Sequence, residues 1–486
     1  MNTLISRRHL LASGTTAMLA TTLAGTYAKA TTPALTLTRR TLEVNGNAAS
    51  VFCIQGPNGK PGLTLNPDDR FAFAVNNQCG AASIIHWHGQ TPPAAQDGVT
   101  DTGYVGPIAP GTTRGYDFAP RPGTHWMHSH QGLQEQSLMA APLIIRSADD
   151  ARLDAQEVVV LLHDFTFRDP AEILAGLTGR SGQGGTTGGM MGGGGMMGGS
   201  GTVSGGMMSG TGGMGQGMGT DLNDINFDAY LANDRTLSDP EIVPASAGDQ
   251  IRLRLINGAT ATNFWIDLGE LKGQLIAVDG DAVKPVTVSH FPLAGAQRAD
   301  VLLRLPGAGV YPIIAQREGG PERTGIIIAT PGAAIAKLAD SSDAVTAACG
   351  LRLEAQLAAA QPLPARAPDR VYQLSLTGGM MGYNWGINGL QWGNHQPLTV
   401  KPGERVAIDM VSNSMMAHPM HLHGHHFQVV AVNGTAISGA MRDTVLVPPM
   451  GAVRIVFDAN NPGRWLLHCH NLYHMASGMM TEVIYT

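Results

Sequence analysis

The C-terminal stretch HCHNLYHMASGMM is rich in side chains that bind metal ions. Cys469 lies between His468 and His470, and His474 and Met479 follow it. A set of histidine and cysteine ligands completed by a weak methionine is typical of a blue electron-transfer copper rather than of zinc. If the stretch is a β-strand, Cys469 points to one face and its two neighbouring histidines point to the other. We therefore predict two metal sites that share one strand.

Three further segments carry histidines at a spacing that puts them on one face of a strand. They are IIHWHG, HWMHSHQG and HPMHLHGHH, which supply His86, His88, His128, His130, His418, His421 and His423. The four stretches together contain ten of these histidines, more than one metal ion coordinates. A structural zinc site is the simpler alternative for one isolated pair, but the cysteine spacings of such sites are absent. We predict several copper ions.

Four motifs together resemble those of the multicopper oxidases, the family of laccases and copper-efflux oxidases. They are HWHG, HWMHSH, HPMHLHG, and HCH followed by His and Met. The resemblance extends over nearly the whole mature chain. It implies four coppers: one of type 1, one of type 2 and a type 3 pair. The ligands it implies are His418, Cys469, His474 and Met479 for type 1, His86 and His421 for type 2, and His88, His128, His130, His423, His468 and His470 for type 3.

The resemblance also implies catalytic roles for Cys469 and Asp97. An electron that reaches the type 1 copper would leave through the Cys469 sulfur and cross to the two neighbouring histidines along covalent bonds. Asp97 follows His88 by nine residues, which matches the acid that family members place beside the three-copper cluster, although it could also be a turn residue in QDGVTD. Efflux oxidases have a second acid where this chain has Met475, so a second proton route is not identified.

The electron donor that the resemblance favours is Cu(I), with phenols as an additional class. Met416 precedes His418 by two residues, similar to a methionine that helps to bind substrate copper in the efflux oxidases. Residues 178–220 are rich in glycine, serine and threonine, which cannot build a core, and this predicts a mobile excursion. Thioethers select Cu(I), so the methionines of this segment are predicted to collect cuprous ions. These are Met190, Met191, Met196, Met197, Met207, Met208, Met214 and Met218.

Three alternatives stay open at this point. The Met/Gly-rich segment could be a tolerated low-complexity insertion. The protein could be a laccase-like phenol oxidase in which the segment covers the site. From another class, it could be a periplasmic copper carrier or a scaffold. Six further histidines are interpreted as structural or surface residues: His125, His163, His290, His395, His425 and His426.

Charge and the N-terminus restrict the partners and the location. The chain of 486 residues has 31 basic and 37 acidic residues, so no basic excess points to nucleic acid. Residues 1–30 contain the pair Arg7 and Arg8, a modest apolar run and a small-residue site that ends at Ala30. This pattern predicts a twin-arginine signal peptide, too short and too polar to span a membrane, and a periplasmic protein.

The remaining cysteines are Cys53, Cys79 and Cys349. An oxidising compartment permits one disulfide among them, and the sequence does not determine which pair.

A repeat of a strand, a turn and an alternating strand occurs three times, in LTLNPDDRFAFAVNN, IVPASAGDQIRLRLING and LTVKPGERVAIDMVSN. Each copy is predicted to form a β-hairpin, so three copies indicate three related β-domains. A second repeat aligns PGTHWMHSH, GVYPIIAQ and GRWLLHCH. The first copy has Ser129 in place of Cys469, and the middle copy has none of the ligands. Only the third domain is therefore expected to hold a blue copper.

Short alternating strands between glycine and proline turns favour an all-β protein built from β-sandwiches. The resemblance implies three cupredoxin-like Greek-key domains. We predict the first domain at residues 31–150, the second at 151–335 with the insertion at 178–220, a linker at 336–369, and the third domain at 370–486.

Overall fold

The computed structural model of the protein describes residues 32–179 and 222–486. The predicted signal peptide and nearly all of the Met/Gly-rich segment, including its eight methionines, lie outside these ranges. Pro33–Thr486 is one unit. In the described ranges, no helix is both long enough and apolar enough to cross a membrane.

The first β-sandwich has two four-stranded sheets. Its strands are β1 (Ala34–Val44), β2 (Asn47–Gln55), β3 (Leu63–Leu65), β4 (Phe71–Asn77), β5 (Ile85–His88), β6 (Thr113–Phe118), β7 (Gly123–Ser129) and β8 (Ala140–Ile145). The sheet orders are β2-β1-β4-β6 and β3-β8-β7-β5. Every second side chain of β4 is buried, because one face of the strand covers the core between the sheets.

The second β-sandwich has a six-stranded and a five-stranded sheet. Its strands are β9 (Gln156–Phe165), β10 (Ala229–Ala232), β11 (Ile242–Pro244), β12 (Gln250–Asn257), β13 (Phe264–Asp267), β14 (Gly273–Val278), β15 (Asp281–Val288), β16 (His290–Leu293), β17 (Arg298–Arg304), β18 (Val310–Arg317) and β19 (Arg323–Ala329). The sheet orders are β10-β9-β12-β17-β14-β15 and β11-β19-β18-β13-β16. The helix α1 (Pro170–Leu177) follows β9, with Asp169 as its N-cap.

The third β-sandwich has a seven-stranded and a five-stranded sheet. Its strands are β20 (Arg370–Thr377), β21 (Gly386–Ile387), β22 (Leu398–Val400), β23 (Arg405–Ser412), β24 (His418–Leu422), β25 (Phe427–Val432), β26 (Thr435–Ala436), β27 (Met441–Arg442), β28 (Thr444–Val447), β29 (Ala452–Asp458), β30 (Arg464–Cys469) and β31 (Met480–Tyr485). The sheet orders are β21-β20-β23-β29-β25-β26, with β27 beside β25, and β22-β31-β30-β24-β28. The helix α2 (Leu472–Ala476) lies between β30 and β31.

Three 3-10 turns complete the described structure, at Ala94–Gln96, Asp150–Arg152 and Glu354–Gln356. Each sandwich has its own apolar core. The prediction of an all-β protein with three β-sandwiches is confirmed.

The three predicted β-hairpins are wrong. In each repeat the short first strand and the longer second strand belong to different sheets. In the first domain β3 pairs with β8, while β4 pairs with β1 and β6. Likewise, β11 and β12 lie in different sheets of the second domain, and β22 and β23 lie in different sheets of the third. The turn therefore carries the chain from one layer of the sandwich to the other. The two strands then bury their apolar faces from opposite sides of the same core.

The strands that carry the paired histidines are buried on both faces. In the first domain His86 lies opposite His128 in register, and in the third domain His421 lies opposite His468. The same registers place Ser129 opposite Ile85 and Cys469 opposite Met420. Two domains thus present equivalent pairs of histidine strands, and only the third has a cysteine at the inward position.

Gly98 controls how closely the segment after His88 approaches β5. Its φ is +81°, and a Cβ at this position would overlap the carbonyl oxygen of Ile85. Gly103 has a similar φ of +79°, but a Cβ there would meet nothing within 4 Å. We expect Gly103→Ala to lower the free energy of unfolding by about 1 kcal/mol, the cost of a left-handed alanine.

We expect Gly98→Ala to lower the free energy of unfolding by at least about 2 kcal/mol more than Gly103→Ala does, because the backbone at Gly98 must move away from β5. Chemical denaturation of the two variants measures the difference. Equal stabilities would contradict the close approach of Gly98 to β5.

Candidate metal centres

One group of metal-binding side chains lies inside the third domain. The Cys469 sulfur is 3.7 Å from Nδ1 of His418 and 3.6 Å from Nδ1 of His474. The strands β24 and β30 bring His418 and Cys469 together, and α2 carries His474. The Asn471 side chain accepts hydrogen bonds from two backbone N–H groups of α2, which fixes the start of this short helix. Met479 is fully buried, and its carbonyl accepts a hydrogen bond from the Cys469 N–H.

The outer ring nitrogens of both histidines already have polar partners. Nε2 of His418 lies 2.6 Å from the Ser414 hydroxyl, and Nε2 of His474 donates to Asp224 at 2.8 Å. The Nδ1 atoms are therefore the ones that face the sulfur. Burial lowers the pKa of His418 well below its usual range and raises the pKa of the Cys469 thiol. A cation at this point would favour the thiolate, as metal sites do.

The second group is formed by eight histidines where the first and third domains meet. They fall into three subsets, each drawn from both domains. Nε2 of His86 lies 3.4 Å from Nε2 of His421. The ligand atoms of the other six lie within 4.8 Å of one another in two trios, His88, His128 and His470, and His130, His423 and His468.

Burial keeps six of the eight imidazoles neutral. It lowers the pKa of His88, His128, His421, His423 and His468 well below their usual range, and neighbouring charges add to the effect. It also lowers the pKa of His470 to about 3. A neutral imidazole has a free lone pair on one nitrogen, which is the form that binds metal ions.

The unpartnered ring atoms test whether the residues fit several copper ions. Nδ1 of His88, Nε2 of His128, Nε2 of His130 and both ring nitrogens of His470 are buried without a hydrogen-bond partner. Buried polar atoms normally have partners, so this concentration of exceptions requires an explanation. Metal ions bound between the imidazoles supply it, and the imidazole and thiolate donors suit copper.

Three buried carboxylates lie within hydrogen-bond distance of ring nitrogens of the eight histidines. Asp97 accepts a hydrogen bond from His423 Nδ1 at 2.9 Å, and its backbone carbonyl accepts one from His86 Nδ1 at 3.0 Å. Asp443 lies 3.1 Å from Nε2 of His88. Glu135 lies 2.8 Å from Nδ1 of His128.

Asp443 and Glu135 differ in their electrostatic surroundings. Burial acts to raise the pKa of Asp443, but the buried guanidinium of Arg298, which donates to both carboxylate oxygens, holds it far below its usual range. Burial and the nearby Asp164 raise the pKa of Glu135 well above its usual range. Bound cations would shift Glu135 toward its charged form.

Eleven of the twelve predicted ligands lie in the two groups, and Met479 is buried next to the first group, where its carbonyl contacts Cys469. Asp97 contacts both His86 and His423. None of the six histidines interpreted as structural or surface residues belongs to these groups. Met416 is only 5 % exposed and lies in the third core, whereas the neighbouring Met415 is 62 % exposed. The predicted Cu(I)-collecting methionines lie outside the described ranges.

Sequence reasoning did not find Asp224, Asp443 or Glu135. Asp224 lies just beyond the low-complexity segment, and Asp443 is 355 residues from the histidine it contacts. Glu135 follows His130 by five residues, so its proximity to the HSH motif was the one available signal.

The disulfide that an oxidising compartment permits is not formed. Every cysteine lies in the described ranges, all four are buried, and none is bonded to another.

Comparison with known proteins agrees with this geometry. Multicopper oxidase family models match residues 36–150, 156–336 and 365–486. Multicopper oxidase MmcO of Mycobacterium tuberculosis is 30 % identical over 463 residues, which cover 93 % of this chain and 86 % of that protein. Copper resistance protein A of Escherichia coli is 28 % identical over 563 residues, covering 92 % of this chain and 91 % of that protein.

Among solved structures, that of Fet3p, a multicopper oxidase that functions in iron import, superimposes with a TM-score of 0.73 at 18 % identity. The match covers 93 % of this chain and 90 % of Fet3p and supports three cupredoxin-like domains. The chain therefore belongs to the multicopper oxidase family, the four-copper oxidoreductases that use O2 as electron acceptor.

Proposed function

We propose that the protein oxidises Cu(I) to Cu(II), one electron at a time, and uses four such electrons to reduce O2 to water in copper tolerance. The observation that carries this proposal is the position of Cys469, whose sulfur belongs to one metal-binding group while both of its chain neighbours belong to the other. The names of the copper resistance relatives support a role in copper tolerance.

The ligand assignment is part of the proposal. His418, Cys469, His474 and Met479 would hold the type 1 copper, and His86 and His421 the type 2 copper. The two trios support one copper of the type 3 pair each. Copper bound in these sites cycles between its cuprous and cupric states and so stores the electrons that O2 reduction requires.

The path between the two groups consists of the chain itself. His468 belongs to one trio and His470 to the other, and both are bonded directly to Cys469. A charge that leaves the sulfur therefore reaches either trio through the backbone and side chain of a single neighbouring residue. Asp97, in contact with His423 and His86, is the residue that we propose to hold and deliver protons beside the cluster.

Electrons would enter through Asp224. His418, His474 and the Asp224 carboxylate that contacts His474 are all buried, but Asp224 also forms part of the wall of a groove of about 550 Å³. Among the described residues that line the groove are the carboxylates of Glu172 and Asp228 and one basic side chain, Arg168. Its charge suits a metal cation as the electron donor.

The alternative, a laccase-like phenol oxidase, receives less support. A phenol would have to approach a type 1 histidine closely, and neither is exposed in the part of the chain that the structure describes. A copper carrier or scaffold would not need eight histidines arranged around a site for O2.

We further propose that the protein is exported by the twin-arginine route and acts in the periplasm. The sequence of residues 1–30 supports this location. We also keep the proposed domain limits, with sandwiches at 31–150, 151–335 and 370–486 and a linker at 336–369.

Replacement of Cys469 by serine separates the two groups. We expect Cys469→Ser to remove the blue absorption and the oxidase activity but to retain about three coppers, because the eight histidines are unchanged. Cys349→Ser, at another buried cysteine, is the matched control and should remain blue. Absorption spectra and elemental analysis decide the question. A blue Cys469→Ser protein would contradict the assignment.

Replacement of Asp224 by asparagine tests the proposed electron path. We expect Asp224→Asn to lower kcat/KM for Cu(I) by at least about tenfold, because the neutral amide neither attracts the cation nor accepts from His474 as strongly. Glu172→Gln removes another groove carboxylate that does not contact His474, and it should cost less than about threefold.

Oxidation kinetics with Cu(I) and with a dimethoxyphenol, measured on proteins of equal blue absorption, give the comparison. Unchanged kcat/KM for Cu(I) in Asp224→Asn would exclude this path, and a loss confined to the phenol would favour the laccase-like alternative.

The Met/Gly-rich segment is proposed to gather Cu(I) for this path. We expect deletion of residues 182–219 to leave all four coppers in place and to raise KM for Cu(I), because the soft thioether ligands are removed. A full-length protein with serine in place of the eight methionines should show the same rise. Steady-state kinetics measure it, and equal KM values in all three proteins would support a neutral insertion instead.

A further inference from the structure

A tight turn after β7 directs one carboxylate toward the eight histidines. The turn contains Gln134, Glu135 and Gln136. The side-chain amide oxygen of Gln134 accepts hydrogen bonds from the hydroxyls of Ser83 and Ser129, within the first domain. The intervening Glu135 is within 2.8 Å of His128, and its side chain is only 2 % exposed.

Gln136 attaches the same turn to the other two domains. Its side-chain amide oxygen accepts hydrogen bonds from the hydroxyl of Thr260 in the second domain, at 2.6 Å, and from the hydroxyl of Tyr473 in the third, at 3.1 Å. The position of Glu135 is therefore fixed from all three domains.

The carboxylate of Glu135 lies between two imidazoles of one trio. Its Oε2 is 2.8 Å from Nδ1 of His128, in the first domain, and its Oε1 is 3.9 Å from Nδ1 of His470, in the third. The same Nδ1 of His128 is within hydrogen-bond distance of the Ser129 carbonyl at 3.3 Å, so the Glu135 oxygen is the closer of its two polar neighbours. Oε1 of Glu135 and both ring nitrogens of His470 are buried without a hydrogen-bond partner.

The third imidazole of this trio is held from the opposite side. Nε2 of His88 lies 3.1 Å from Asp443 and from the Thr444 hydroxyl, so its Nδ1 is the free ring atom. With Glu135 on Nδ1 of His128, the free atom of that ring is Nε2. For His88 and His128, the polar partners thus determine which ring nitrogen is left free for a metal ion.

We propose that Glu135 is a positioning residue that orients His128 and His470 toward one copper of the type 3 pair. The inference rests on the proposed ligand assignment. A carboxylate that accepts the N–H of a metal-binding histidine fixes its tautomer and ring orientation and raises its basicity. Here one carboxylate serves ligands from two domains, and so it also holds the two halves of the site together.

The neighbouring Asp164 has the contacts that a purely structural carboxylate would have. Its two oxygens accept four hydrogen bonds, from the N–H and hydroxyl of Thr260, the N–H of Ala261 and the hydroxyl of Thr262. Glu135 lacks such donors, and its close polar neighbours are histidines of the trio. Burial of a carboxylate with so few donors is costly, unless the imidazoles and a cation behind them stabilise it.

Copper retention tests the proposal, with Glu135→Ala and Glu135→Gln compared against Glu318→Gln. Glu318 is another buried glutamate, bonded to Asn263 and to the Cys349 N–H, away from the trio. The fully loaded proteins are dialysed against increasing concentrations of a copper chelator. Elemental analysis then gives the copper content, the blue absorption reports the type 1 site, and electron paramagnetic resonance reports the type 3 pair, whose coupled coppers give no signal until one is lost.

We expect Glu135→Ala to lose one type 3 copper at a chelator concentration about 10 to 100 times lower than the wild type, with the blue absorption intact. Glu135→Gln should fall between the two, because its amide oxygen can still accept from His128 while its NH2 group opposes the N–H of His470. Glu318→Gln should retain copper like the wild type.

The proposal would be overturned if Glu135→Gln retained copper against the chelator as well as the wild type does and its type 3 pair gave no paramagnetic resonance signal. This variant decides the question if Glu135→Ala does not fold. Failure of the ligand assignment itself would be recognised separately, since the wild type would then lack four coppers or a coupled pair.

Discussion

Alternation of side chains along β30 is the constraint on which both metal-binding groups depend. Cys469 turns into the apolar core of the third domain, while His468 and His470 turn toward the first domain. A shift of one residue in the pairing of β30 with β24 would reverse every one of these directions. The observed register, with His421 opposite His468, matches that of His86 and His128 in the first domain. Two equivalent strand pairs therefore face each other and enclose the eight histidines.

Desolvation is the second determinant of the site. Burial keeps most of the clustered imidazoles neutral, so their lone pairs are available, but it leaves ring N–H groups that need acceptors. Asp97, Asp443 and Glu135 lie where such acceptors are required, and Arg298 stabilises Asp443 in its charged form. The unpartnered nitrogens that remain point into the trios. Metal binding and the packing of the first domain against the third are consequently coupled.

The clustering of these histidines with Cys469 was predictable because its determinants are local. Spacing of two residues along a strand determines the face on which each side chain lies, so motifs such as HWHG and HCH define ligand pairs without knowledge of the fold. The acids are different, because they reach the histidines through the packing of separate domains. Asp443 and Asp224 are brought to His88 and His474 from distant parts of the chain.

The hairpin error has a related cause. A strand, a tight turn and a second strand have the same local pattern whether the turn joins neighbours in one sheet or connects two layers. The choice is made by strands that lie far away in the sequence, such as β8 for β3 and β31 for β22. Anomalous diffraction at the copper edge from crystals of the loaded protein tests most directly the claim that one strand serves both groups. We expect one anomalous peak beside Cys469, His418 and His474 and three among the eight histidines. The absence of copper from either group would contradict a shared strand.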